Sequence, residues 1–489
     1  MILFLFLALY VPGLVFLGFY FSRNKNTNDY FRGGQKLPWW AVGLSIFATM
    51  LSSITYIAIP AKAYMTDWSL IFINFAIVAV APFVIHFIIP FFRRLDVTSA
   101  YEYLEKRFNL FLRLFAGASF ILFHIGRMAI VMYLPALALA TITSLPVSAC
   151  ILIMGVSSLI YCTLGGLRAV IWTDALQSVV LLGGALLSLI IILMRIDGGF
   201  ATLLTTALAD AKLRVINWDW SRMSYTTNAF WVVVIGGLTQ QLVSYTSDQS
   251  IVQRYMSVSN EKRAARATWT NALVSIPATL LFFGMGTALY VFYKFFPSKL
   301  DPGFPNDAIF PLFIARELPA GIAGLVVAGI FAAAQSTVST SMNSTATTFV
   351  TDVRRFDLLH LEKHYLALAR VMTLLFGLLG IGLALLFAAS NIKSMWDTFM
   401  TILGLFGGVL CGLFLLGMFT VRANGAGAVI GAVGGAIGLY VIQNYTDVSY
   451  LLYAAVGTFL CVALGYIGSL LTSGKKEIDG LTIYTLRKP

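Results

Sequence analysis

The chain is poor in charge, in histidine and in cysteine. Only 11% of its 489 residues are charged and 59% are hydrophobic, whereas a soluble domain carries about 25% charged residues. The four histidines and four cysteines show neither zinc-site spacing nor a disulfide pattern. Apolar runs long enough to cross a bilayer, about 17–25 residues, recur instead along the whole chain. We therefore predict an all-α, multi-pass membrane protein without a soluble domain.

About 13 apolar runs are long enough to be membrane-spanning helices. They cover residues 2–22, 39–61, 68–92, 112–141, 147–164, 169–194, 226–247, 268–293, 318–349, 366–388, 395–419, 425–443 and 449–472. The Lys and Arg residues that give the net charge of +12 gather in alternate loops, as the positive-inside rule requires. This distribution explains the basic charge by membrane topology rather than by a nucleic-acid surface. It predicts an N-terminus outside and a C-terminus in the cytoplasm.

Two predicted spans contain polar or small residues near their middle. In "FATMLSSITY" (residues 47–56), hydroxyl groups at the bilayer midpoint would satisfy backbone groups that a broken helix frees. In the span 226–247 the apolar run stops at Gly236 and Gly237, and polar residues follow. We predict a break in both helices. Packing through small residues is the alternative for either span alone.

The two interrupted spans open two successive blocks of five spans, residues 39–194 and 226–419. Five is odd, so the second block starts from the opposite membrane face and the blocks would form inverted repeats. Interrupted helices at matching positions of such repeats are typical of secondary transporters with a midplane site. An N-terminal helix and loop (1–38), an extracellular loop (195–225) and two C-terminal helices with a short tail (420–489) complete the predicted organisation.

The span 318–349 is rich in hydroxyl side chains. Ser336, Thr337, Ser339 and Thr340 are close in sequence, and several of them share one helical face. Sodium, like Ca²⁺ and Mg²⁺, is a hard cation that prefers oxygen ligands. These hydroxyls, together with carbonyls of an unwound segment, therefore predict a sodium site. A helix that packs through its Ser and Thr side chains is the alternative.

Arg127 lies near the middle of the span 112–141. An arginine at a helix centre costs about 2.5–3.5 kcal/mol on insertion scales, so a compensating group is expected. Its planar guanidinium suits a carboxylate, which favours an anionic ligand; a structural arginine bound by carbonyls is the alternative. Asp174, the nearest acid in a span, is predicted to lie too near the cytoplasmic face for a direct pair. His124, one turn earlier, is interpreted as a packed, neutral residue.

Asp174 has two interpretations of its own. It could reach toward the hydroxyl-rich span 318–349 as a second cation ligand, or it could pair with Arg168 at the membrane interface. The residues alone leave both open. Because no nucleophile–base set, metal cluster or nucleotide-binding loop is recognised in the sequence, we do not expect an enzyme.

Several stretches resemble the sodium:solute symporter family. "YCTLGGLRAVIWTDALQ" (161–177) and "DQSIVQRY" (248–255) are similar to its signatures, and residues 47–56 and "FAAAQSTVSTSMNS" (331–344) are similar to its broken first core helix and its sodium helix. With "FHIGR" (123–127), they resemble the bacterial sialic acid symporter branch in matching order over nearly the whole chain. The resemblance implies a LeuT-like 5+5 inverted-repeat core and sodium-driven alternating access in the bacterial inner membrane.

The resemblance also implies binding residues. The common sodium site would take carbonyls and hydroxyls from Ala48, Leu51, Ala333, Ser336 and Thr337. A second sodium site would use the side chains of Asp174, Ser336, Ser339 and Thr340. The substrate site would hold a carboxylate through Arg127, Ser52 and Thr55, and would include Met50 and Asn74.

Met50 and Asn74 stand where the sialic acid branch has a threonine and a glutamine, so one end of the substrate site is altered while its carboxylate end is kept. We expect a sodium-coupled importer, using two Na⁺, of Neu5Ac or a close relative such as a KDN-like or N-glycolyl form. A sodium symporter for another sugar, such as a hexose or hexuronate, is the alternative. A membrane sensor on a transporter core is the alternative from another class. The protein is expected to function as a monomer that binds no nucleic acid.

Overall fold

In the computed structural model, all regular secondary structure in the described part of the chain is helical. The structure describes residues 2–23, 26–143, 145–221, 223–300, 308–356, 362–389, 395–474 and 478–486. The helices are α1 (Ile2–Tyr20), α2 (Thr27–Arg32), α3 (Trp39–Met50), α4 (Ser53–Met65), α5 (Ile71–Phe83), α6 (Ile89–Leu95), α7 (Glu102–Arg107), α8 (Leu110–Ile142), α9 (Val147–Arg195), α10 (Gly199–Ala209), α11 (Phe230–Thr246), α12 (Gln249–Met256), α13 (Glu261–Phe295), α14 (Ile309–Glu317), α15 (Ala320–Arg355), α16 (Glu362–Ala388), α17 (Met395–Phe419), α18 (Gly425–Tyr445) and α19 (Tyr453–Leu471).

Eight of the described helices are long and apolar enough to cross a membrane, and α3 with α4 makes a ninth candidate if the bent pair counts as one span. The all-α, multi-pass prediction is thus confirmed for these residues. Two of the predicted spans, 147–164 and 169–194, fall within one element, α9, which leaves helical geometry at Gly166 (φ 59°, ψ −152°).

The helix α9 is a hairpin rather than a single rod. The side chains of Tyr161 and Gln177 are close enough to interact, and both residues contact α1, although 16 residues of straight helix would separate them by about 24 Å. The chain reverses at Gly166, where a positive φ suits glycine and a Cβ would lie 2.7 Å from the carbonyl oxygen of Tyr30. The two predicted spans therefore correspond to the two arms of α9.

One of the two predicted helix breaks is confirmed and the other is wrong. The helices α3 and α4 are bent by 54° at Leu51 and Ser52, whose ψ values of 81° and 172° are non-helical. In contrast, α11 is continuous through Gly236 and Gly237. The chain becomes extended only at Asp248 (φ −83°, ψ 110°), immediately before α12.

The two glycines of α11 serve close packing, which was the alternative for this span. A Cβ on Gly236 would lie 2.5 Å from the carbonyl oxygen of Leu451, and one on Gly237 would lie 2.8 Å from the Cα of Ile73. Small residues allow helices to approach this closely. The break is defined instead by Asp248, whose carboxylate caps α12 by accepting a hydrogen bond from the Ser250 N–H at 2.8 Å.

The helix α15 lies at the centre of the bundle. Of its most apolar 18-residue window, 83% is buried, against 33–56% for the other candidate spans. It packs most extensively on α9 and also on α8, α16 and α1. The hydroxyl groups of α15 therefore face other helices rather than lipid, and they can meet groups contributed by several of them.

An ion-pair network ties α7 and α8 to the end of α15, outside the apolar core. Arg113 donates to Glu105 at 2.8 Å and to Asp352 at 2.6 Å, and Arg355 donates to Glu105 at 2.7 Å. Partial burial opposes the ionisation of Glu105. The hydrogen bonds from Arg355 and Arg113 outweigh that effect, so the pKa of this carboxyl lies below its ordinary value.

Candidate functional site

A cleft lies beside the break between α3 and α4, with about 920 Å³ of empty space including its open mouth. The residues predicted for the substrate site all line it: Met50, Ser52, Thr55, Asn74 and Arg127. These residues come from four separate helices or helix ends. The structure therefore brings together side chains that lie up to 77 positions apart in the sequence, from Met50 to Arg127.

Arg127 has both a carbonyl and a carboxylate as neighbours. Its Nη2 donates a hydrogen bond to the carbonyl oxygen of Thr49 at 2.9 Å, just before the break. Its Nη1 lies 3.7 Å from Oδ2 of Asp248, which also lines the cleft. The acid nearest to Arg127 is thus Asp248 at the α11–α12 break. The prediction that Arg127 forms no direct pair with Asp174 agrees with this arrangement, since Asp174 pairs with Arg254.

His124 connects Asp248 with the central helix. Its ring is completely buried, with Nδ1 2.9 Å from the hydroxyl of Ser341 and Nε2 3.4 Å from Oδ1 of Asp248. Its position agrees with the prediction of a packed polar residue. The substrate cleft is therefore connected to α15 by a short series of polar contacts from Arg127 through Asp248 and His124.

The residues predicted for the common sodium site lie together where α15 passes the broken helix. The hydroxyl of Ser336 donates to the carbonyl oxygens of Ala48 at 3.0 Å and Ala333 at 3.2 Å. The hydroxyl of Thr337 lies 3.4 Å from the same Ala333 oxygen. Leu51 is the C-cap of α3, so its carbonyl belongs to the unwound segment. This arrangement offers a hard cation several neutral oxygen atoms within a few ångströms.

Asp174 is wholly buried and paired with an arginine that the sequence analysis did not single out. Its Oδ2 accepts hydrogen bonds from the Ser45 hydroxyl at 2.5 Å and from Nη2 of Arg254 at 2.9 Å. Its Oδ1 is buried and has no hydrogen-bond partner among the described residues. Because the closest cation is Arg254, the interpretation that ties Asp174 to Arg168 is wrong. Arg168 pairs instead with Asp29 at 3.2 Å.

Two of the groups predicted for the second sodium site, Asp174 and Thr340, accept hydrogen bonds from the guanidinium of Arg254. Its Nη2 donates to both Asp174 and Thr340, and the hydroxyl of Thr340 lies 3.2 Å from that of Thr49. The hydroxyl of Ser339 donates to the carbonyl oxygen of Ser336 at 3.2 Å. Asp174 and Thr340 are therefore close in space, as predicted, but a protein cation lies between them.

Asp248 and Arg254 are the functional candidates that the sequence analysis missed. Both belong to "DQSIVQRY", a stretch noted only for its resemblance to a family signature. An acidic and a basic residue six positions apart, directly after a predicted membrane span, are a signal for buried charge. That signal was overlooked because the break was expected earlier, at Gly236 and Gly237.

Comparison with known proteins identifies the family. The family model described as "Sodium:solute symporter family" matches residues 30–435. The sodium/sialic acid symporter SiaT of Proteus mirabilis (strain HI4320) is 40% identical over 474 residues, which cover 96% of this chain and 95% of the relative. The sodium/sialic acid symporter NanT of Aliivibrio fischeri (strain ATCC 700601 / ES114) is 39% identical over 461 residues, covering 94% and 91%.

Solved structures give the same result. A Na⁺-coupled sialic acid symporter in a substrate-bound outward-open state matches with a TM-score of 0.92 at 39% identity, over 98% of this chain and 99% of that one. Mhp1, a nucleobase-cation-symport-1 family transporter, matches with a TM-score of 0.61 at 14% identity over 92% and 96%, which shows a likeness of fold alone. The chain belongs to the sodium:solute symporter family and is a sodium-coupled transporter rather than an enzyme.

Proposed function

We propose that this protein is a sodium-coupled symporter that imports a sialic acid, Neu5Ac or a close relative, by alternating access. The observation that carries the proposal is Arg127, a buried cation on the wall of a cleft beside an unwound helix segment. An arginine in this place is costly unless its charge is balanced, and the carboxylate of Asp248, at 3.7 Å, lies beyond hydrogen-bond distance. The two sialic acid symporters that are about 40% identical over nearly the whole chain support this substrate class.

The substrate carboxylate binds between Arg127 and the start of α4. The guanidinium offers a planar pair of donors that matches a carboxylate. The helix α4 begins at Ser53 after Ser52, and the N–H groups of a helix N-terminus attract negative charge. The hydroxyls of Ser52 and Thr55 complete this end of the site. Met50 and Asn74 contact the opposite part of the ligand and set which sialic acid is accepted.

Two sodium ions couple to the substrate. The first binds the carbonyls of Ala48, Leu51 and Ala333 with the hydroxyls of Ser336 and Thr337, and so fixes the unwound segment that receives the carboxylate. Since α15 supplies the hydroxyls and the broken helix supplies the carbonyls, this ion joins the two elements whose relative movement would open the site on the other side.

The second sodium binds Asp174 with the hydroxyls of Ser336, Ser339 and Thr340. The buried Oδ1 of Asp174, which has no hydrogen-bond partner among the described residues, supports this assignment. Arg254 would withdraw from Thr340 to admit the ion. Two Na⁺ with one monoanion move one net positive charge inward, so the membrane potential contributes about 2.3 kcal/mol per 100 mV.

The proposed organisation has 13 spans around a core of two inverted five-span repeats, 39–194 and 226–419. The N-terminus lies outside and the C-terminus in the cytoplasm of a bacterial inner membrane, and the transporter works as a monomer. The hairpin form of α9 supports the count, because its two arms supply two of the spans.

The test is uptake of labelled Neu5Ac into proteoliposomes with an inward sodium gradient, compared with potassium in its place. Unlabelled KDN, Neu5Gc, glucuronate and galactose compete in parallel. We expect sodium-dependent uptake that acidic sugars block and galactose does not. If Neu5Ac is not taken up while a competitor such as glucuronate is, the substrate is another acidic sugar of the kind that the hexuronate alternative describes.

A further inference from the structure

Four charged side chains are buried together between the cleft and the central helix. Arg127 and Asp248 are 7% and 9% exposed, and Arg254 and Asp174 are 1% and 0% exposed. We call these four residues the buried charge cluster. With the imidazole of His124 neutral, the cluster contains two positive and two negative charges, so its formal net charge is zero when no ligand is bound.

The four charges act on one another. Arg127 lies 3.7 Å from Asp248, and Arg254 lies 2.9 Å from Asp174. Arg254 also interacts electrostatically with Asp248 and with Arg127. Charges separated by a few ångströms interact far more strongly in a protein interior than in water. A charge added at any member of the cluster therefore changes the energy of the whole group.

Asp248 is the carboxylate of the cluster that a ligand would meet. It lines the cleft, whereas Asp174 is enclosed by Ser45 and Arg254. The distance of 3.7 Å between Arg127 Nη1 and Asp248 Oδ2 exceeds a hydrogen-bond length. A ligand carboxylate that binds Arg127 thus arrives beside a second carboxylate that is already fixed by its role as the cap of α12.

We propose that Asp248 makes substrate binding conditional on sodium. This inference rests on the proposed function and concerns the same site. A monocarboxylate bound at Arg127 brings the buried charge cluster to a net charge of −1, and an uncompensated buried charge is strongly unfavourable. The first sodium ion to bind, at either proposed ion site, restores neutrality, and the second supplies the one net positive charge that is moved inward with the substrate. Because of Asp248, binding of the anionic substrate therefore favours binding of the cation, and binding of the cation favours binding of the substrate.

The same count predicts what happens when the charge of Asp248 is removed. The cluster is then +1 without ligand and becomes neutral when the carboxylate alone binds. Sodium is no longer needed for charge balance, although it still fixes the unwound segment. The coupling is consequently weakened at Asp248 without any change to a residue of either proposed sodium site.

The experiment compares Asp248→Asn with the wild-type protein. Asparagine keeps the shape of the side chain and caps helices as well as aspartate does. The dissociation constant of Neu5Ac is measured on purified protein in NaCl and in KCl at equal ionic strength. We expect the ratio of the KCl value to the NaCl value to fall at least about tenfold in the variant, because a like-charge neighbour has been removed. Most of the change should be tighter binding in KCl.

The matched control is Asp67→Asn. Asp67 is a buried carboxylate paired with Arg214 at 2.9 Å, and it is not among the residues that line the cleft. In the Asp67→Asn variant, the ratio of the Neu5Ac dissociation constant in KCl to that in NaCl should equal the wild-type ratio. Should Asp248→Asn fail to fold, Asp248→Ser keeps a capping oxygen and carries the same test. If either variant of Asp248 folds and keeps the wild-type ratio of dissociation constants, the inference is overturned.

Failure of the proposed substrate gives a different result. Wild-type protein that binds Neu5Ac in neither salt contradicts the sialic acid assignment. The ratio is then measured with the acidic competitor that binds, because the charge count requires a monocarboxylate and not a particular sugar. An unchanged ratio in the variant contradicts the role of Asp248, whichever acid is used.

Discussion

Two arginine–aspartate pairs share the core of this transporter but differ in how they are closed. Arg254 and Asp174 are in direct contact at 2.9 Å with side chains 1% and 0% exposed, and they also form hydrogen bonds with Ser45 and Thr340. Arg127 and Asp248 stand 3.7 Å apart with side chains 8% and 10% exposed, on the wall of a cleft. The first pair is enclosed by protein, and the second faces the space that a ligand would occupy.

The difference shows that buried charge has two uses in one fold. The closed pair neutralises its own two charges and holds α9 and α12 together, so removing one member leaves a charge without compensation. An open pair keeps its cation accessible, so a ligand can compete for it. The pairs have the same chemistry, and only their distance and access to the cleft separate the two uses. The first three predictions below test that separation, and two smaller ones concern groups outside the two pairs.

The largest expected effect is a loss of stability when one member of the closed pair is removed. Arg254→Met leaves Asp174 buried without its cation, and we expect a loss of about 3–5 kcal/mol, as for other broken buried pairs. Thermal unfolding in detergent measures it. The double variant Asp174→Asn with Arg254→Met removes both charges and should recover most of the loss. A single variant as stable as the wild type would contradict the enclosed character of this pair.

Breaking the open pair should affect transport more than stability. Arg127→Gln removes the carboxylate partner, and truncating one member of a charge pair at an interface costs about 2–5 kcal/mol. Uptake of Neu5Ac at low concentration should fall by about 100-fold or more. The unfolding temperature should fall less than in Arg254→Met, because Asp248 borders the cleft whereas Asp174 is enclosed by protein. Arg214→Gln, whose side chain is 57% exposed, is the control that should transport normally. Unchanged uptake in Arg127→Gln would exclude the carboxylate clamp.

Neutralising the acid of the closed pair should change the ion stoichiometry. With Asp174→Asn we expect the Hill coefficient for sodium in uptake assays to fall toward one, because a Hill coefficient cannot exceed the number of coupled sites. Thr337 belongs only to the common site, so Thr337→Ala provides the comparison and should weaken sodium dependence at the remaining ion. A Hill coefficient that Asp174→Asn leaves unaltered would mean that the second site is absent or does not contribute.

A smaller effect is expected at Met50 and Asn74, which also line the cleft. Met50 offers no hydrogen-bonding hydroxyl and Asn74 is shorter than glutamine, so a polar group of Neu5Ac facing them is left unpaired, at about 1–3 kcal/mol if buried. Met50→Thr combined with Asn74→Gln should therefore tighten Neu5Ac binding by about tenfold. Competition binding with Neu5Ac, Neu5Gc and KDN measures the change. Equal affinities before and after would show that these positions do not set specificity.

The smallest effect concerns an ion pair outside the apolar core. The pKa of Glu105 lies below its ordinary value because Arg355 and Arg113 outweigh its partial burial. Its stabilising contribution is therefore complete above the unfolded value of about 4.3 and is lost as the pH falls through the lower folded pKa. Glu105→Gln should cost up to about 1 kcal/mol at pH 7. The difference in unfolding temperature from wild type should shrink as the pH is lowered below 4; a constant difference would contradict this assignment.

Much of the site was predictable because its signals are local. The hydroxyls at 336–340 and the polar interruption at 47–56 conflict with their apolar surroundings, and such a conflict in a membrane span points to function. The structure places Ser336 beside Ala48 and bends the chain at Leu51 and Ser52, as predicted. The glycines of α11 gave the wrong break because glycine suits close packing as well as unwinding, and only the neighbouring helix distinguishes the two.

The sequence by itself determined that this is a helical membrane protein and that Arg127 and Asp174 need partners. Hydropathy and burial cost depend on each segment alone, so they can be evaluated along the chain. Only the tertiary structure decided which partners these charges have. Arg254 is 80 positions from Asp174, and Asp248 meets Arg127 because α11 ends and α12 begins beside α8. Whether two charges pair depends on their distance in space, because their interaction weakens with separation. No pattern along the chain records that distance.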